Sequence, residues 1–240
     1  MSSGKKIAVV TGAGSGVGRA VTIELAKRGY AVALLGRREP MLHETIASCE
    51  KNATLIAIRC DVASESDVAA MAEKVRADLG DPTVLVNSAG INVAARGLAQ
   101  LSIDDFKKVL DANLTGGFLC VHAFLPAMRR MGEGTIVNII SDAGLSSNPV
   151  SGVAYVASKF GMTGLTETIN VEERKNGIRA CAIFPGEINT PLLDKRANPP
   201  AAEARVKMLQ AEDVAAAVLF AIEMPHRAIV EKVLLRPRTR

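Results

Sequence analysis

Tryptophan is missing from this chain, tyrosine occurs only twice, and aromatic residues make up 3% of it. Cysteine is also scarce: Cys49, Cys60, Cys120 and Cys181 are scattered, with no C-x-x-C spacing for metal or redox work. They read as small buried apolar residues in a reducing compartment. His43, His122 and His226 show no ligand spacing and read as packing or surface residues, so no metal is expected. An excess of one charge is lacking too. The net charge is only +4 and is spread along the chain, without the basic stripe that marks a nucleic-acid binder. Arg236, Arg238 and Arg240 read as a solvated C-terminal cluster. No uninterrupted apolar stretch reaches the ~20 residues of a membrane span. Lys5 and Lys6 precede an apolar run too short for the h-region of a signal peptide. A cytoplasmic protein without membrane or nucleic-acid partners is the expectation.

An apolar fraction of 48% is ample for a core, and 22% charged residues is ordinary for a globular chain. Seven short apolar runs read as strands: 6–11, 31–36, 54–59, 83–88, 134–140, 178–184 and 231–236. Segments with helical spacing fall between them, at 17–29, 40–51, 65–79, 102–130, 152–176 and 211–223. Strands apolar on both faces, alternating with helices, call for a parallel sheet covered on both sides. Right-handed crossovers make it an α/β doubly wound, seven-stranded sheet. No linker divides the chain, so residues 1–240 read as one domain. Residues 186–210 hold three prolines and follow the sixth strand, at the edge where open α/β sheets bind ligands. That stretch is either a lid or a plain crossover connection.

The first strand runs into T-G-A-G-S-G-V-G, residues 11–18. Gly12, Gly14, Gly16 and Gly18, with Ser15 and Val17, allow a tight turn and close approach of a phosphate to the backbone. The helix that follows offers its free N–H groups to a pyrophosphate. The spacing departs from strict G-x-G-x-x-G, but its place after the first strand points to a dinucleotide. The second strand ends at Gly36, which stands where an NAD-preferring fold carries a carboxylate, and Arg37 and Arg38 follow it. Two guanidinium groups suit a 2′-phosphate, so NADP(H) is expected over NAD(H). The alternative is a pair of solvated surface charges.

One of the two tyrosines, Tyr155, lies four residues before Lys159, a spacing that puts both on one face of a helix. With TGAGSGVG, Asp61-Val62, NSAG (87–90), DANLTG (111–116), TIVNIISDAG (135–144), YVASK (155–159) and PGEINT (185–190), the chain resembles the short-chain dehydrogenase/reductase family over almost its whole length. The resemblance implies a single-domain Rossmann fold, an oxidoreductase activity and a set of roles. Tyr155 becomes the proton donor and acceptor, Ser141 holds the substrate oxygen, and Lys159 lowers the tyrosine pKa while binding the nicotinamide ribose. Asn113 interrupts the long helix so that its carbonyl holds a water linked to Lys159. Asp61 and Val62 line the adenine site, and Asn87, Ala89 and Gly90 flank the cofactor. Pro185, Gly186, Ile188 and Thr190 cover the nicotinamide. Ser88 stands where the family has a second asparagine, and Ile140 where it usually has a first serine. Read without the family, Ser141 could be a turn residue and Asn113 a solvent-facing one.

Proton delivery from tyrosine has a clear energetic requirement. Its reference pKa is near 10, and bringing it toward 7 takes about 4 kcal/mol of preferential phenolate stabilisation. For the substrate, Asn92, Arg96, Leu145 and Glu187 are pocket candidates with Ser141. Arg96 could meet a carboxylate and Glu187 an amine, or both could be rim charges. The pocket stretches hold no aromatic wall, which favours a small alcohol or carbonyl compound, such as a 3-hydroxy acid. Two alternatives stand beside this. A reductase of carrier-bound 3-oxoacyl thioesters would need a basic dock, for which Arg129 and Arg130 are the hint. A non-catalytic cofactor-binding regulator would not need Ser141, Tyr155 and Lys159. The family resemblance also implies a homodimer or homotetramer through the helices around 102–130 and 152–176, where Ala157, Gly161 and Gly164 suit close packing.

Overall fold

A computed structural model describes residues 6–148, 150–196 and 198–238; the N-terminal stretch before Lys6, and Arg240 of the C-terminal cluster, lie outside them. Strands and helices alternate as the apolar periodicity demands: β1 (Ile7–Thr11), α1 (Gly16–Lys27), β2 (Ala31–Gly36), α2 (Glu39–Ala47), β3 (Leu55–Arg59), α3 (Glu65–Asp78) and β4 (Val84–Asn87). Then come α4 (Ile103–Leu110), a π-helical turn (Asp111–Thr115), α5 (Gly116–Met131), β5 (Gly134–Ile139), α6 (Val153–Glu173) and β6 (Ile178–Pro185). The chain closes with α7 (Ala202–Val206), α8 (Ala211–Glu223) and β7 (Lys232–Leu235). All pairings are parallel, in the order β3-β2-β1-β4-β5-β6-β7. This is the doubly wound Rossmann sheet, with its order reversing between β1 and β4.

Alternate residues of each strand supply two cores. Val10, Val32 and Leu34 pack with Val21 and Leu25 of α1 and with Val214 and Val218 of α8. Val9, Ala33 and Leu35 face the other way, onto Met71 and Val75 of α3 and Phe124 and Met128 of α5. Period-two alternation in a strand buried on both faces requires this division. Helix starts are specified locally where the sequence allows: Ser64 and Ser102 accept the backbone N–H of Asp67 and Asp105. Cys60, Cys120 and Cys181 are buried, and burial pushes all three thiols up to about 12, whereas Cys49, expected to be buried with them, is only half-buried just past the end of α2.

The π turn joins α4 to α5, so Ile103–Met131 becomes one helical run long and apolar enough by composition to cross a membrane. Counting consecutive apolar residues missed it, because the length arises from two helices fused end to end. Cys120, Phe124 and Met128 of that run are fully buried in the fold. Of the small residues considered for subunit packing, Gly161 makes an internal contact: an added Cβ would lie 2.6 Å from Leu114. Gly164 and Ala157 stay open on the outer surface of α6.

Candidate active site

The reversal of strand order opens a cleft of about 520 Å³ at the carboxyl edge of the sheet. Gly12, Ser15, Gly16 and Val17 line it from the turn after β1, and Ser88, Ala89 and Gly90 from the turn after β4. Gly12 has φ +67°, and an added Cβ would lie 3.0 Å from the Ala89 backbone. Gly16, at φ +53°, abuts Thr190 in the same way. Thr11 locks the two turns together, its Oγ1 accepting the N–H groups of Ser88 (3.0 Å) and Ala89 (2.9 Å). Ser15 caps α1 without a side-chain hydrogen bond, and no acidic residue occupies the first turn. The helix therefore keeps free N–H groups and the positive end of its dipole for an anion. A pyrophosphate fits that cradle; a side chain at Gly12 or Gly16 would not.

Gly14 and Gly18 do not line the cleft. They shape the turn from behind: a Cβ on Gly18 would sit 2.4 Å from the Gly12 carbonyl oxygen, and one on Gly14 would sit 2.9 Å from Met41. Arg37 and Arg38 are exposed just beyond β2, and Arg37 Nη1 is 4.0 Å from the Asp61 carboxylate after β3. Val62 is buried, packed where Gly116 leaves space. Asn87 is also buried and starts a chain of side-chain bonds, donating to Asn138 Oδ1 (2.9 Å), whose amide donates to Thr166 (2.8 Å). Asn138 was not anticipated, although a lone amide inside an apolar strand was its signal.

Helix α6 presents Tyr155 and Lys159 one turn apart in the cleft, with Ser141 at the end of β5. Lys159 is only 4% exposed; its Nζ donates to the Ile139 carbonyl (2.9 Å) and lies over the Tyr155 ring, 5.4 Å from the centroid. Burial pushes the Lys159 ammonium down to about 8. Burial likewise pushes the Tyr155 phenol up, opposed first by the Ser141 hydroxyl and more weakly by the charges of Arg196 and Arg96, while Asp142 adds to the rise. Ser141 and two arginines thus pull the phenol down, and the Lys159 ammonium stands beside its ring face. Ser141 accepts the Ala143 N–H and donates to Asp142 (3.2 Å).

Asn113 is buried at the centre of the π turn, so the solvent-facing reading fails. A single π turn shifts the helical ladder by one residue, a defect often found at functional sites. The Asn113 amide clamps the chain after β4, accepting from Ile91 N (2.7 Å) and donating to Ile91 O (3.0 Å). It also donates to Ser158 (3.1 Å), whose hydroxyl donates to the Tyr155 carbonyl (2.7 Å). Asn113→Ala leaves these buried groups unpaired and is expected to lower stability by about 2–4 kcal/mol, read as a shifted urea midpoint. An unchanged midpoint would refute the clamp.

Pro185, Gly186, Glu187, Ile188 and Thr190 line the far wall, with Asn92 and Arg96 opposite. Leu145 is not among the lining residues: it follows the Asp142–Gly144 turn and is 41% exposed. The chain returns to the cleft at Asn148, Val150 and Ser151. The 186–210 stretch has a fastened neck, with Leu209 N donating to Glu187 O (3.0 Å) and Asn189 N to Leu209 O (2.8 Å). Beyond that neck it brings Arg196 into the cleft, a residue that no sequence spacing marked. The histidines are peripheral: His122 lies against Phe118, and His43 and His226 face Glu39 and Glu133. Among the described residues, no group of three or more His, Cys, Asp or Glu side chains could hold a metal.

A doubly wound sheet with a glycine cradle at its switch point and a half-buried Tyr155 next to the buried Lys159 defines a nicotinamide-dependent oxidoreductase. The model of the short chain dehydrogenase family matches residues 6–201. An uncharacterized oxidoreductase of Staphylococcus saprophyticus is 32% identical over 97% of both chains. A 3beta-hydroxysteroid dehydrogenase of Mediterraneibacter gnavus is 38% identical over 80% of this chain and 69% of its own. The solved alcohol dehydrogenase of Thermococcus sibiricus, complexed with 5-hydroxy-NADP, superposes with a TM-score of 0.87 at 29% identity, covering 99% of this chain and 98% of that one. The chain belongs to the short-chain dehydrogenase/reductase family and is an NAD(P)-binding enzyme of alcohol or carbonyl substrates.

Proposed function

We propose that the protein is an NADP(H)-preferring enzyme that interconverts a small alcohol and its carbonyl, with Tyr155 as general acid and base. The observation that carries this reading is the meeting of Tyr155, Ser141 and Lys159 in the cleft beside the glycine cradle. When bound, the nicotinamide supplies or takes the hydride; the protein positions the reactants and moves the proton. Ser141 holds the substrate oxygen next to the phenol, and Tyr155 delivers the proton to it on reduction or removes it on oxidation. Lys159 orients the ribose and keeps positive charge beside the ring. Asn113 serves as the relay anchor, tying the π turn to the chain after β4 and to α6. Arg37 and Arg38 receive the 2′-phosphate, with Asp61 beside them as a modest competitor for Arg37.

A small substrate suits the cleft because Tyr155 is the only aromatic among its described lining residues. A 3-hydroxy acid fits that description. The carrier-protein alternative loses its motivation: Arg129 is ion-paired with Glu173 and Arg130 with Asp81 (3.3 Å), both at the amino edge, away from the cleft. Homodimers or homotetramers fit the exposed Phe118, Phe160 and Val171 on α5 and α6. A cytoplasmic setting fits the free cysteines.

The test is a panel of small aldehydes, ketones and oxo acids with NADPH and NADH. NADPH should be preferred, and replacing Arg37 and Arg38 together by alanine should cut that preference by about 10- to 100-fold, mostly through cofactor KM. A preference for NADH in the unaltered protein would overturn the cofactor assignment.

A further inference from the structure

Two guanidinium groups enter the reaction cleft from different elements. Arg96 belongs to the segment after β4. Its Nη1 donates to the Val150 carbonyl (3.2 Å), and its backbone presses on Gly152, where an added Cβ would lie 2.5 Å from Arg96 Cβ. Gly152 directly precedes α6, so Arg96 is fastened to the helix that carries Tyr155. Arg196 comes from the 186–210 stretch; its side chain is 22% exposed, and its Nη1 lies 2.8 Å from Glu187 Oε1.

The charges do not balance. Arg96, Arg196 and Lys159 line the cleft against two carboxylates, Asp142 and Glu187. Glu187 is paired with Arg196, and Arg96 has no carboxylate within ion-pair distance among the described residues, its guanidinium meeting only the Val150 carbonyl. Holding two like charges in a partly desolvated cleft is unfavourable without an anion between them. Burial first, and the nearby charge of Arg196 second, push the Arg96 guanidinium below its ordinary range. Glu187 is half exposed and sits at the fastened neck, while Arg196 is nine residues further on, beyond the Pro191–Lys195 turn. The Glu187–Arg196 pair can therefore open without undoing the neck.

We propose that the substrate carries a carboxylate held between Arg96 and Arg196, and that Glu187 is the protein's own carboxylate, displaced from Arg196 when the substrate enters. A carboxylate is favoured over a neutral group because guanidinium forks match it in shape and charge, and Arg196 already holds one. The exchange swaps one Arg–carboxylate pair for another and adds a second guanidinium, so it draws Arg196 toward Arg96 and the reacting carbon. This inference rests on the oxidoreductase reading above and supplies its substrate class.

Matched pairs of 2-, 3- and 4-oxo acids and their methyl esters test it with NADPH. For the best pair, kcat/KM should favour the acid over the ester by at least about tenfold. Arg96→Gln and Arg196→Gln should each reduce that ratio by about 10- to 100-fold, chiefly through the KM of the acid, whereas Arg196→Lys should retain most of it. Glu187→Gln should lower the KM of the acid by removing its competitor. Ester reduction with no preference for the acid, or a ratio unmoved by either glutamine variant, overturns the clamp alone. No turnover of any pair overturns the clamp, and the oxidoreductase reading falls with it only if the aldehydes and ketones of the wider panel are refused as well.

Discussion

Replacing Tyr155 by phenylalanine should lower nicotinamide-linked turnover by about a thousandfold, while cofactor affinity stays within about threefold. The change removes one oxygen, at the point where Ser141, Arg196 and Arg96 act on the phenol. Without that hydroxyl the carbonyl oxygen must take its proton from water, and general acid catalysis by a placed group is worth about 10² to 10⁴. The glycine cradle, Arg37 and Arg38 are untouched, so cofactor titration should change little. Turnover within about fivefold of the unaltered enzyme would remove Tyr155 from the chemistry and the proposed mechanism with it.

Lys159→Met should cut turnover by about a hundredfold or more and yet stabilise the cofactor-free protein near neutral pH. Lys159 is buried, and its ammonium is pushed from the ordinary 10.5 down to about 8. Below pH 8 both folded and unfolded chains carry the proton, and the folded state bears the full cost of a buried charge. Between pH 8 and 10.5 the unfolded chain binds more proton than the folded one, so stability rises with pH across that window, by on the order of 3 kcal/mol. Methionine removes the charge and loses the bond to the Ile139 carbonyl, leaving a net gain of about 1–2 kcal/mol at pH 7. The gain should shrink as the pH rises above 8. Urea midpoints of both proteins at pH 7 and pH 9.5 measure this; a variant less stable at pH 7 would show that the ammonium is better satisfied than its burial implies.

Most of the fold was legible because its determinants are local. Apolar runs such as IAVVT and AVALLG are too short for helices and apolar on both faces, so they had to be central parallel strands. The Tyr155 and Lys159 spacing was equally local, since a helix brings i and i+4 together whatever surrounds it. Leu145 lies off the cleft while Asn148, Val150 and Ser151 of the same loop line it, and nothing in the order of residues tells which side chains of a loop point inward. Arg129 and Arg130 looked free in the sequence but meet Glu173 and Asp81, far along the chain. Arg196 was invisible for the converse reason: an ordinary charge in a proline-rich stretch becomes a cleft residue only when the neck at Leu209 closes.

By itself the sequence determined the alternation of elements, the glycine turn after the first strand and the identities of the proton-handling residues. Each of these depends on backbone periodicity or on spacing within a few residues. Only the tertiary structure decided how the phenol is tuned, with burial raising it and Ser141, Arg196 and Arg96 pulling it down. It also decided that Asn113 clamps Ile91 and that two arginines share one cleft. Desolvation and charge proximity are properties of distances in space, and those distances join segments that lie tens of residues apart along the chain.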